Sequence, residues 1–257
     1  MSKYKGKAIM LFHERISTDI YDMRLACPDI ADKAGAGQFV LLYTDDKSKL
    51  LPRPISICEI NKEEESIRLV YRVTSKTSGT KNISEYRKGE LIEVMGPLGN
   101  GFTQTDKKSI LIGGGIGIPP MLELSKNMQI KPTVLLGYRD KETFLAKEFE
   151  KYADVYIATE DGSVGTEGNV IDIIKEKKLS ADRIMACGPT PMLRAVKEFA
   201  VESNIECFLS LEERMACGVG ACLACVCKSV KTDTYTNSHT KRVCKEGPVF
   251  EAGEIVL

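Results

Sequence analysis

Ser109-Ile-Leu-Ile-Gly-Gly-Gly-Ile-Gly-Ile-Pro-Pro-Met121 reads as a short apolar strand, a glycine turn and a helix opened by proline. That order predicts a strand-turn-helix unit whose backbone stays open to a dinucleotide's phosphates, although it is not the GxGxxG spacing. The same rhythm continues downstream in PTVLLGY, DVYIATE, RIMACGP and IECFLSL, with KETFLAKEFEKY, TEGNVIDIIKEKK and PTPMLRAVKEFAVE as the amphipathic segments between them. In the last, Leu193, Val196 and Ala200 share a helical face. The expectation is a parallel α/β sheet over residues 104–210. Its fourth strand runs into Cys187-Gly-Pro-Thr-Pro-Met192, at the carboxyl end where such sheets bind ligands.

Upstream the period changes. KAIMLFHERI, YDMRLACP, GQFVLLYT, RPISICEI, SIRLVYRVT and ELIEVMGP are short β segments separated by turn residues, and six of them predict a small closed barrel over residues 1–103. In the fifth, Ile67, Leu69, Tyr71 and Val73 alternate with Arg68, Val70 and Arg72, the pattern of a strand with one buried face. Arg53-Pro54-Ile55-Ser56 opens the fourth strand, with an arginine suited to a pyrophosphate and a serine suited to a flavin edge. Val70-Tyr71-Arg72, and Gly79-Thr80 entering a short helix at KNISEY, extend the flavin reading. Against it stands a plainer one, in which Tyr71 is core and Gly79-Thr80 an ordinary helix cap.

Residues 211–257 are too few for a core of their own. They hold five of the nine cysteines, as Cys217-x4-Cys222-x2-Cys225, then Cys227, with Cys244 following Cys225 after 18 intervening residues. This is plant-type [2Fe–2S] spacing, with Gly218 and Gly220 able to turn backbone N–H groups toward sulfur. Four-thiolate zinc is the alternative, though it more often uses two close pairs. Cys227, two residues past Cys225, competes with the favoured Cys244 for the fourth place. Cys27, Cys58 and Cys207 read as buried small hydrophobes.

Composition removes other classes. Lys and Arg total 36 against 36 Asp and Glu, so no bulk charge calls for nucleic acid or an anionic membrane. The charged start MSKYKGKAIM lacks a secretory core, and the apolar stretch Ile110 to Leu122 is broken by four glycines and two prolines. A cytoplasmic protein without membrane contact is expected.

With these residues in view, the chain resembles the electron-transfer subunits of the NAD-dependent, two-component dihydroorotate dehydrogenases, in the ferredoxin reductase superfamily. GQFV, RPISI, YR and GT, GPLGNGF, GGGIGIPPM, CGPTPM, ERMACGVGACLAC and CKEGPVF carry the likeness, in family order along nearly the whole chain. Ile55 stands where many superfamily members have an aromatic residue. The resemblance implies an α+β multidomain protein: an FAD barrel, a nucleotide-binding α/β domain and a cluster segment. It implies FAD at Arg53 to Ser56, Val70 to Arg72, Gly79 and Thr80. A cluster on Cys217, Cys222, Cys225 and Cys244 is also implied, as is NAD as exchangeable acceptor near Gly114, Gly115, Gly117, Cys187, Gly188, Pro189 and Met192. The implied partner is an FMN-containing catalytic subunit of pyrimidine biosynthesis, in a heterotetramer of two of each. No acid–base residue of this chain is then needed, and neither His13 nor His239 has a catalytic setting.

Overall fold

A computed structural model describes residues 3–234 and 237–257. The first six strands are β1 (Tyr4–Ser17), β2 (Ile20–Ala26), β3 (Phe39–Tyr43), β4 (Arg53–Asn61), β5 (Ser66–Arg72) and β6 (Leu91–Leu98), with α1 (Pro28–Ala31) and α2 (Gly79–Ile83) between them. They close into the expected barrel in the order β1-β2-β5-β4-β3-β6, antiparallel throughout. Ile55, Ile57, Ile67, Leu69 and Tyr71 fill its interior.

The next elements are β7 (Ser109–Gly114), α3 (Pro119–Lys126), β8 (Thr133–Tyr138), α4 (Ala146–Phe149), β9 (Asp154–Thr159), β10 (Thr166–Glu167), α5 (Val170–Lys177), β11 (Arg183–Cys187), α6 (Thr190–Glu202) and β12 (Glu206–Ser210). β13 (Val226–Asp233), β14 (Ser238–Arg242) and β15 (Val249–Glu251) complete the chain. The second sheet runs β10-β9-β8-β7-β11-β12-β15. Its first six strands are parallel and β15 is antiparallel to β12. Strand order reverses at β7, between β8 and β11, which is where an open α/β sheet leaves a crevice at its carboxyl edge.

Three local expectations are corrected. β5 is buried on both faces, with Arg68 8% and Val70 2% exposed, because the α/β domain covers the outer wall of the barrel there. Of KETFLAKEFEKY only Ala146–Phe149 is helical, since Leu145 takes φ +64°, a left-handed conformation that begins the helix late. The short second helix starts at Gly79 rather than after it, capped by Ser78, whose Oγ accepts from Lys81 N–H.

Residues 211–257 share core with the rest of the chain. Met215, Val243, Phe250 and Ile255 pack into one cluster with Leu209 of the sheet and with Phe39, Leu41 and Leu98 of the barrel. Among the described residues no helix is long and apolar enough to cross a membrane.

Candidate redox crevice and thiolate loop

The ends of β7 and β11 lie side by side, with Gly113 in register with Cys187. Two turns therefore meet, one through Gly115–Gly117 and one through Gly188 and Pro189. They meet without clearance: a Cβ on Gly117 would sit 2.5 Å from the Cys187 carbonyl carbon and 2.6 Å from Gly188 N. Met192, on the first turn of α6, caps the junction, its sulfur 2.5 Å from where a Gly114 Cβ would be and its methyl 2.5 Å from that of Gly188. Gly115 has φ +52°, and the nearest atom to its missing Cβ is Nη2 of Arg72, 3.9 Å away on the facing barrel wall. The arrangement leaves backbone exposed where a dinucleotide must lie close.

Cys187 is buried, and desolvation, reinforced by the charge of Glu212 and opposed by a hydrogen bond with Ser210, pushes its thiol up to about 12. It is a buried, neutral thiol at pH 7 and not a nucleophile. Glu212, one residue past Leu211 at the end of β12, was not picked out from the sequence. Desolvation pushes its carboxyl above the usual range, and Arg72 offsets part of that. Its position just beyond the carboxyl end of a parallel strand was the available signal.

The barrel wall of the crevice comes from the start of β4 and the end of β5, neighbours running in opposite directions. The two-residue period of a strand sorts the side chains. Ile55 and Tyr71 turn into the barrel core, the Tyr71 ring 5.7 Å from that of Tyr21 and its hydroxyl 2.9 Å from His13 Nε2. Val70 turns outward, to pack with Ile118 of the α/β domain. Arg53 donates from Nη1 to the carbonyls of Leu51 (3.0 Å) and Pro52 (3.4 Å). Its guanidinium crosses the start of α2, where a Gly79 Cβ would lie 2.6 Å from Nη2. Thr80 Oγ1 accepts from Thr74 N–H at 3.4 Å and bonds Ser78 Oγ at 2.9 Å.

Among the described residues neither Arg53 nor Arg72 has an ion-pair partner. Arg68, four residues before Arg72, is by contrast enclosed by three carboxylates. Two half-buried guanidiniums outside any such ion pair, Arg72 with the Glu212 carboxylate near enough to feel its charge, suit a diphosphate. In α2, Asn82 Oδ1 is a buried acceptor without a partner.

Four of the five thiols of 211–257 come together two by two. Cys217 interacts with Cys222, and Cys225 with Cys244, whose N–H also donates to Cys225 Sγ at 3.4 Å. The N–H groups of Val219 and Ala221 donate to Cys217 Sγ at 3.4 and 3.3 Å. Gly218 (φ +66°) and Gly220 (φ +84°) supply the left-handed turns this wrapping requires. A Gly218 Cβ would also strike Leu41 Cδ1 at 2.5 Å, so the loop is pressed against the barrel. Burial opposes ionisation of Cys217, but the backbone donors and Cys222 bring its thiol down to about 7. Cys225, donated to by Cys244, falls to about 6.

Among the described residues no three His, Cys, Asp or Glu side chains converge on one point. Two thiol pairs suit two irons, whereas a single zinc ion needs all four sulfurs around one centre. Cys227 stands apart on β13, in register with Lys241, and burial pushes it up to about 11. Burial raises Cys27 and Cys207 to about 12 and Cys58 well above its ordinary value, as for inert core thiols.

Known proteins match these parts. The family model for the iron-sulfur cluster binding domain of dihydroorotate dehydrogenase B matches residues 212–256, and that of the oxidoreductase FAD-binding domain matches residues 7–102. A protein of Geobacillus sp. (strain WCH70), named dihydroorotate dehydrogenase B (NAD(+)), electron transfer subunit, is 44% identical over 254 residues, covering 95% of this chain and 96% of that one. A protein of the same name from Caldanaerobacter subterraneus subsp. tengcongensis is 40% identical, covering 99% and 100%. Among solved structures, an NADH-dependent reduced ferredoxin-NADP oxidoreductase, studied for flavin-based electron bifurcation, superimposes with a TM-score of 0.86 at 28% identity over 97% of this chain and 89% of that one. The ferredoxin reductase of carbazole 1,9a-dioxygenase shares the fold, with a TM-score of 0.69 at 16% identity over 80% and 67%.

Proposed function

Since this chain belongs to the family of dihydroorotate dehydrogenase B electron transfer subunits, we propose that it carries electrons from an FMN-containing, dihydroorotate-oxidising partner to NAD⁺ in pyrimidine biosynthesis. The observation that carries this reading is the pairing of Cys217 with Cys222 and Cys225 with Cys244, in a loop seated on the barrel whose next strands line the crevice. When bound, an FAD exchanges two electrons with nicotinamide and one at a time with a [2Fe–2S] cluster, a conversion that neither neighbour can make.

Residues 1–103 would hold the FAD, 104–210 the NAD and 211–257 the cluster. Arg53 and Arg72 neutralise the diphosphate. Ser56, whose side chain alternates away from the barrel core, faces the flavin edge, while Pro54, Ile55, Val70 and Tyr71 offer backbone. Gly79 keeps the start of α2 clear for Arg53 and Thr80 holds that turn. Gly114, Gly115 and Gly117, with Gly188, Pro189 and Met192, shape the nicotinamide side, and neutral Cys187 lines it without adding charge. The acid–base chemistry on dihydroorotate then lies in the partner. The assembly is a heterotetramer of two of each subunit in the cytoplasm.

The resemblance to the ferredoxin-NADP oxidoreductase has less sequence behind it, at 28% identity against 40–44%. The test is co-purification with the native partner and cofactor analysis of both. The isolated chain should pass electrons from NADH to flavin and to a dye, without oxidising dihydroorotate. Dihydroorotate turnover by this chain alone would refute the proposal.

A further inference from the structure

Arg68 lies on β5 and is almost wholly buried. It makes a forked contact with Asp22 of β2, donating from Nε at 3.0 Å and from Nη2 at 2.8 Å. The same guanidinium donates from Nη1 to Glu59 of β4 at 2.5 Å, and to Glu148 of α4 from Nη1 at 2.6 Å and Nη2 at 3.0 Å. Asp22 and Glu59 belong to the barrel and Glu148 to the α/β domain, so one cation bridges the two. The bridge is doubled through α3. Lys126 Nζ donates to Glu59 at 3.0 Å, and Glu123 accepts from the N–H of Ile60 in β4 at 3.0 Å. Against burial, Arg68 and Lys126 hold the Glu59 carboxyl below its ordinary range, so the group is charged at neutral pH.

The elements tied together are those that carry the crevice. Arg68 precedes Arg72 by four residues of β5, about 13 Å of strand. Glu59 follows Ser56 on β4, and α3 begins directly after the Gly115–Gly117 turn. We propose that Arg68 is a positioning residue that fixes the flavin-bearing strands against the nicotinamide-bearing turn, and so sets the approach of the two rings for hydride transfer. The inference rests on the flavin and nicotinamide reading of the crevice. It concerns only the step that crosses from one domain to the other. Passage from flavin to cluster does not use this bridge, because the cluster loop meets the barrel elsewhere, at Leu41 and Leu98.

Removing Arg68 leaves three carboxylates facing one another and risks unfolding, so the informative variant is Glu148→Ala, which cuts the interdomain arm at a partly exposed site. Full-length protein carrying FAD and cluster is mixed with NADH. Flavin bleaching and the long-wavelength charge-transfer absorbance between reduced nicotinamide and flavin are recorded by stopped flow. Because a displacement of about 1 Å can cost about 100-fold in such a step, Glu148→Ala should slow flavin reduction at least about tenfold and weaken the charge-transfer band. Glu148→Gln, which keeps an acceptor, should recover part of both. FAD content, and electron passage from photoreduced flavin to the cluster, should match wild type. An unchanged rate and band in Glu148→Ala would overturn the inference, as would equal slowing of both electron steps. Failure of wild-type flavin to accept electrons from NADH would overturn the crevice reading itself, and shows before any substitution.

Discussion

Gly117→Ala tests the crevice where it is tightest. The new methyl would lie 2.5 Å from the Cys187 carbonyl carbon and 2.6 Å from Gly188 N, where ordinary contact begins at 3.4 Å. What it meets is backbone of the neighbouring turn and not the end of a flexible side chain, so the two turns must part by roughly 1 Å. Overpacking of this kind costs about 1–3 kcal/mol. For a chain of this size that lowers Tm by about 2–12 °C. Function should suffer more than stability, since a shift of about 1 Å at the turn proposed to hold nicotinamide can slow hydride transfer by about 10- to 100-fold. The assay is stopped-flow bleaching of flavin by NADH, with thermal melting alongside and the visible cluster spectrum as internal control. Gly253→Ala, where a Cβ meets nothing within 4 Å, should be silent in both. A Gly117→Ala protein whose rate stays within about twofold and whose Tm stays within about 1 °C of wild type would refute the close-approach argument.

Cys244→Ser should strip iron and labile sulfide from the purified protein, whereas Cys227→Ser should retain two of each per chain by colorimetric assay, as the separation of Cys227 from the paired thiols requires. Arg53→Ala should weaken FAD retention by about 10- to 100-fold in a fluorescence titration, the loss expected for charge-assisted hydrogen bonds to a phosphate. Glu142, in the loop after β8, accepts from Ser17 Oγ, from Thr18 N–H at 2.8 Å and from Thr18 Oγ1 at 2.7 Å in the β1–β2 turn, and these bonds bring its carboxyl down to about 2. A depressed carboxyl stabilises fully above its ordinary value of 4.5 and loses that contribution as pH falls through about 2. The melting-temperature gap between wild type and Glu142→Ala should therefore be constant above pH 5, and close between about pH 4.5 and 2.

Much of the fold could be read because its signals are local. Six short β segments separated by turn residues marked the barrel, and SILIGGG with four later apolar strands marked the parallel sheet in its true chain order. The metal spacing was equally local. What escaped the sequence depends on the two domains meeting. Arg68 sits on an alternating strand, where an arginine reads as solvent-facing, and nothing nearby announces that Glu148, 80 residues away, will enclose it. Glu212 has the same character: its carboxyl matters because Cys187 and Arg72 arrive from other elements. The late start of α4 follows from a left-handed Leu145, a conformation that no propensity favours for leucine.

The placement of the barrel fits the proposed order of electron flow. Strand β3 presents Leu41 to Gly218 of the thiolate loop, and Tyr43, raised chiefly by burial, also feels the charge of Cys217. β3 pairs with β4, which pairs with β5, and those two strands carry Arg53, Ser56 and Arg72. The two glycine turns contribute to that crevice from the opposite side, where Gly115 faces Arg72. One barrel is thus the shared wall of the thiolate loop and the dinucleotide turns. A two-electron donor on one side and a one-electron centre on the other must communicate through whatever that wall holds. If so, Arg53→Ala protein stripped of FAD should keep its cluster spectrum yet lose NADH-driven bleaching of it, and added FAD should restore the bleaching. Bleaching by NADH in flavin-free protein would show a direct route and would refute this order.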